Sequence, residues 1–132
     1  MIPTKKILMI DDDEINNFLV SEWIKMNYPQ FDLQIITDAS SAIRYLEDLL
    51  PEEFPDLIIC DLLMPDYDGF DFLHLYETIF FKSNQMTRII VLSANIADRD
   101  LQKLKAYACL TEVLIKKTAQ ENFKFIKEKY LN

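Results

Sequence analysis

Four places in this sequence set reactive side chains at the ends of apolar runs. Asp11, Asp12, Asp13 and Glu14 follow KKILMI, Asp61 follows DLIIC, Ser93 ends RIIVLS, and Lys116 ends EVLIK. An unpaired buried charge is costly, so Asp61 belongs at the mouth of a strand and not inside a core. Carboxylates gathered at one place repel each other, and their pKa values rise unless a cation joins them. Carboxylate, carbonyl and water oxygens suit a hard ion, and Mg²⁺ fits because it takes octahedral oxygen ligation and keeps several waters. Asp61 beside such an ion is both a ligand and a nucleophile toward phosphorus. The charge of the resulting phosphoryl group would be met by the ion, by the Lys116 ammonium and by the Ser93 hydroxyl.

The elements that must position these groups follow from the hydrophobic pattern. Five short runs rich in Ile, Leu and Val, at 5–10, 31–37, 55–60, 87–93 and 112–116, are largely apolar without alternation. That marks strands covered on both faces, as in a parallel sheet. Helical spacing lies between them at 14–27, 40–50, 69–82, 96–108 and 118–130. Ile15, Phe18, Leu19, Trp23 and Met26 are the expected inner face of the first helix, and Ser40 or Ser41 the expected cap of the second. Strand and helix alternate five times, which predicts a single-domain, doubly wound α/β fold. In such folds ligands meet the carboxyl ends of the strands, where these residues lie. The only glycine is Gly69, which excludes a glycine-rich phosphate cradle.

Composition narrows the function classes. The chain has 132 residues and a formal net charge of -8, which argues against nucleic acid as a partner. Cys60 and Cys109 show neither a disulfide framework nor zinc spacing. No run reaches the ~20 apolar residues of a membrane span, and MIPTKKILMIDDDE breaks on acids where a signal peptide would stay apolar. The expectation is one cytoplasmic domain over 1–132 with no output domain and no membrane partner.

Taken in order, ILMIDDDEIN, IICDLLMPDYDGFDFL, IIVLSAN and the lysine of VLIKK resemble a response-regulator receiver domain, CheY-like, over nearly the whole chain. The resemblance implies a flavodoxin-like five-stranded parallel sheet in the order 2-1-3-4-5. It implies Asp61 as phosphoacceptor and an acidic pair, Asp11 and Asp12, holding Mg²⁺ together with Asp61 and the Leu63 backbone carbonyl. Asp13 is then a bystander or helix cap, Ser93 the switch hydroxyl and Lys116 the site lysine. It also implies a histidine kinase or phosphotransfer protein as donor and a downstream protein target. A phosphorylation-dependent homodimer and a switching surface on the fourth helix, fifth strand and fifth helix (Lys103, Tyr107, Val113, Lys117, Phe125) belong to the same expectation. Leu63 and Asn95 occupy positions that govern access of hydrolytic water, and the apolar Leu63 predicts slow to moderate self-dephosphorylation. Three positions depart from the family pattern. Val113 stands where an aromatic is frequent, Lys117 where proline follows the lysine, and Cys109 near a frequent glycine.

Two rival readings remain. Asp11, Asp13, Ser93 and Lys116 mimic a haloacid-dehalogenase-type phosphatase, but that reading leaves Asp61 without a role. A phosphorylation-independent binding module would not need the full acid, hydroxyl and lysine set. Asp66 and Asp68 read as turn residues; a calcium loop counted from Gly69 would place Met64 and Leu75 where acids are required. His74, on the outer side of the third helix, reads as a surface residue.

Overall fold

The computed structural model describes residues 5–64 and 68–132. Asp66 and the proline of the Met64-Pro65 pair lie outside the described residues. Ten main elements alternate as β1 (Lys5–Ile10), α1 (Glu14–Asn27), β2 (Phe31–Ile36), α2 (Ala39–Glu47), β3 (Leu57–Asp61), α3 (Gly69–Ile79), β4 (Arg88–Ser93), α4 (Asp98–Lys105), β5 (Glu112–Ile115) and α5 (Ala119–Tyr130). All strand pairs are parallel, and the sheet order is β2-β1-β3-β4-β5.

The apolar runs are explained by double coverage. Successive side chains of a strand point to opposite faces, and in the central strands both faces are buried. Leu8, Ile10, Ile58, Cys60, Ile89 and Val91 meet Ala42, Leu46, Phe72, Tyr76 and Leu104 from α2, α3 and α4. Ile7, Met9, Leu57, Ile59, Ile90 and Leu92 meet Val20 and Ile24 of α1 and Phe123 and Ile126 of α5. These layers hold the strand ends in register, pairing Ile10 with Cys60, Asp61 with Leu92 and Ser93 with Ile115.

Two expectations are corrected. The inner face of α1 is Asn17, Val20 and Ile24, with Trp23 partly buried against that core. Ile15, Phe18, Leu19 and Met26 face outward at 76%, 64%, 59% and 81% exposure. Counting apolar residues misplaced the face because its first inward position is polar: the Asn17 amide donates to the Asp11 carbonyl at 2.7 Å. The cap of α2 is Asp38, whose carboxylate accepts from the Ser41 amide at 2.7 Å and from the Ser41 hydroxyl at 2.9 Å. A carboxylate two residues before Ser40 supplies the acceptor, so neither Ser40 nor Ser41 caps the helix.

Candidate functional site

The ends of β1, β3 and β5 deliver their polar residues to one pocket. Lys116 Nζ lies 2.8 Å from Asp11 Oδ2 and 3.2 Å from Asp61 Oδ2. Asp11 is buried, at 4% exposure, and its Oδ1 accepts from the Asp13 backbone amide at 3.0 Å. Asp12 is exposed at the rim. Carboxylate oxygens of Asp11, Asp12 and Asp61 all lie within 4.8 Å of one another.

The electrostatics follow from that crowding. Burial pushes the Asp61 carboxyl above its ordinary value; Lys116 opposes the rise, Asp11 adds to it, and the Leu63 amide opposes it again. Burial pulls the Lys116 amine down, but the hydrogen bond and charge of Asp11, with those of Asp61, hold it above its ordinary value. The lysine therefore stays charged and acts as an internal counter-ion. Two carboxylates and one ammonium still leave excess negative charge beside the exposed Asp12. An oxygen-only donor set of this kind fits a small divalent cation such as Mg²⁺.

The loops around the pocket are held by local chemistry. Asp13 caps α1 by accepting from the Asn16 amide at 3.0 Å, so its carboxylate is engaged outside the acidic cluster. Asp68 caps α3, accepting from Phe70 at 3.0 Å and Asp71 at 3.2 Å, while Asp71 accepts back from the Asp68 amide. A Cβ on Gly69 would stand 2.9 Å from Leu62 Cα and 3.1 Å from the Asp61 carbonyl oxygen. Only a residue without a side chain lets α3 start against the end of β3.

Of the expected site residues, Asp11, Asp12, Asp61 and Lys116 converge. Ser93 ends β4 beside them, but its hydroxyl donates to the Asn95 carbonyl at 3.0 Å instead of to a carboxylate. Leu63 follows the end of β3 with its side chain exposed to solvent. His74 is exposed. Cys60 adjoins Asp61, but full burial pushes its thiol far up and leaves it an inert core residue. Sequence reasoning missed Asn17 and Asn122, both buried polar residues whose amides hold the backbone of the site.

In a doubly wound parallel fold ligands meet the carboxyl ends of the strands, and the acid-and-lysine cluster lies at that edge. The model of the response regulator receiver domain matches residues 7–125, and the chain belongs to that family, the receiver domain of two-component response regulators. Among curated proteins, the chain is 26% identical to the alkaline phosphatase synthesis transcriptional regulatory protein SphR of Synechococcus elongatus, over 74% of the chain and 38% of the relative. It is 32% identical to the regulatory protein VanRc of Enterococcus gallinarum, over 74% of the chain and 37% of the relative. The chain thus spans well under half the length of these relatives. Among solved structures, a two-component response regulator from Cytophaga hutchinsonii aligns with a TM-score of 0.81 at 26% identity, covering 99% of both chains. The Mn²⁺-bound response regulator Rcp1 aligns with a TM-score of 0.72 at 23% identity, covering 97% of this chain and 95% of that one.

Proposed function

We propose that Asp61 accepts a phosphoryl group from a phosphohistidine carried by a histidine kinase or phosphotransfer protein. A carboxylate oxygen of Asp61 attacks phosphorus, the P–N bond breaks, and its electron pair leaves with the imidazole. The product is an acyl phosphate on Asp61. Asp11, Asp12, Asp61 and the Leu63 carbonyl would hold Mg²⁺, which supplies charge neutralisation at the transferring group when bound. Lys116 meets the negative charge that gathers on the phosphoryl oxygens, a stabilisation that matters most in a loose transition state. Ser93 leaves the Asn95 carbonyl to donate to a phosphoryl oxygen, which biases the surface of α4, β5 and α5. The observation that carries this reading is the bridge from Lys116 to both Asp11 and Asp61, in a pocket where three carboxylates meet.

The donor docks beside the pocket over the outward face of α1. Ile15, Phe18 and Leu19 begin one turn after the acidic cluster, and Leu63 is exposed on the β3–α3 side. A partner that buries this stripe brings its histidine to Asp61. The described receiver unit then signals through a downstream protein or a phosphorylation-dependent homodimer, in the cytoplasm where the donor's histidine resides. Among the described residues no helix is long and apolar enough to cross a membrane. The phosphatase reading is not favoured, since its second aspartate, Asp13, is engaged as a helix cap.

Incubation with acetyl phosphate and Mg²⁺, followed by intact mass, tests the proposal. One phosphate adduct is expected on the unaltered chain and none on Asp61→Asn. An adduct that survives in Asp61→Asn, or none on the unaltered chain, overturns it. The adduct should outlast seconds in Mg²⁺, and a sizing column run on the same sample reads dimerisation.

A further inference from the structure

We infer that Asn122 is the residue that positions Lys116, by clamping the peptide units on either side of it. This inference rests on the functional reading above. The family pattern puts proline after the site lysine, and proline fixes its own φ and has no amide hydrogen. Here Lys117 follows, so the backbone carries one more donor and one more freedom beside the site.

Asn122 addresses both. Its Oδ1 accepts from the Lys117 amide at 2.7 Å, and its Nδ2 donates to the Ile115 carbonyl at 3.1 Å. These groups flank Lys116 in the chain. The Lys116 amide donates to the Ser93 carbonyl at 2.8 Å, so the residue is tied on its strand side as well. Asn122 is buried at 6% exposure, in the second turn of α5, where its own amide donates to the Thr118 carbonyl at 3.0 Å. That helix is anchored by Phe123 and Ile126 in the core. The line of support therefore runs from the α1–α5 core through one carboxamide to the backbone of Lys116, and from there to the ammonium between Asp11 and Asp61. An asparagine side chain has the donor and the acceptor this geometry requires; alanine has neither and aspartate lacks the donor.

Misplacing a catalytic group by about 1 Å costs on the order of 100-fold in rate. The test is the rate of phosphorylation by acetyl phosphate at saturating Mg²⁺, read by intact mass, in a double-mutant cycle of Asn122→Ala with Lys116→Ala. The expected result is a loss of about 10- to 100-fold for Asn122→Ala, and no further loss when Lys116 is already alanine. Asn122→Asp keeps the shape and the acceptor but loses the arm to Ile115. It is expected to fall between the two, which preserves the test if the alanine variant does not fold. A full extra loss from Asn122→Ala in the Lys116→Ala background shows a general structural role and overturns the inference. So does an unchanged rate in both Asn122 variants with Lys116 present. An unaltered chain that takes no phosphate overturns the functional reading, and this inference with it.

Discussion

Two lysine–carboxylate clusters flank β5, one at each end, and they differ in kind. At the carboxyl end Lys116 bridges Asp11 and Asp61 inside a pocket. At the amino end Lys129 lies 3.1 Å from Glu112 on the surface. There the Tyr130 hydroxyl also donates to Glu112, and the Arg88 guanidinium sits 5.1 Å from the Tyr130 ring centre. The amino-end cluster has no excess of acid, and its lysine is half exposed, where such pairs contribute little. The carboxyl-end cluster is unbalanced and largely dry, with more acid than base. An arrangement that is electrostatically poor by itself is one that a further cation would relieve.

Removing Lys116 is the largest test of that contrast. Lys116→Ala should slow phosphorylation by roughly 100-fold or more, the range for deleting one charge-stabilising group at a reacting centre. The same variant should bind Mg²⁺ more tightly by calorimetry, because the ammonium no longer competes for the Asp11 and Asp61 oxygens. Weaker Mg²⁺ binding would mean that the lysine organises the acids and does not compete for them.

The stability of Asp61→Asn sharpens the point. The Asp61 carboxyl is held above its ordinary value, first by burial. A raised carboxyl binds its proton more tightly folded than unfolded. Ionising it therefore costs folding stability, a cost absent below the ordinary value of 3.8 and complete above the raised one. In metal-free buffer at neutral pH, Asp61→Asn should have a higher urea midpoint than the unaltered chain. A lower midpoint would show that the Lys116 bridge outweighs burial.

Asp38 supplies a control carboxylate without crowding. The backbone amide of Ser41 holds its pKa below the ordinary value, aided by the Ser41 hydroxyl. Its contribution is present above pH 3.8 and is lost as pH falls through the lowered value. Asp38→Ala should cost about 1 kcal/mol at pH 7 by denaturant titration, and the difference should shrink as pH falls through the lowered value of Asp38. The smallest effect is expected at the amino end: Lys129→Ala should leave the melting temperature and the phosphorylation rate unchanged. A clear loss in either would remove the distinction between the two clusters.

The strands and the reactive residues were legible because both are local. A run such as LIIC that stops on a carboxylate marks its own end, and β1 and α1 have the bounds that periodicity predicts, 5–10 and 14–27. Helix α4 is shorter than its pattern, Asp98–Lys105 where 96–108 was expected. Ala97 and Ala108 favour a helix but cap neither end, and Ala97 offers no side-chain acceptor at the start. The inner face of α1 was not legible, since Asn17 answers to the Asp11 carbonyl, just past the end of β1. Asn122 was hidden for the same reason: its partners at 115 and 117 flank a turn whose shape no periodicity encodes. An asparagine three residues into the helix that follows the site lysine, next to the core-facing Phe123 and one turn before Ile126, is the signal that could have pointed to it.

The outward ridge of α1 has a consequence for how copies of this protein meet. With a net charge of -8, two copies repel before their ridges touch, and the reach of that repulsion is set by dissolved ions, falling to about 10 Å in 0.1 M salt. Crowded, saline conditions bring the bare ridges within range of each other, whereas dilute buffer keeps them apart. Salt, as much as protein concentration, then governs adventitious clumping of the free receiver.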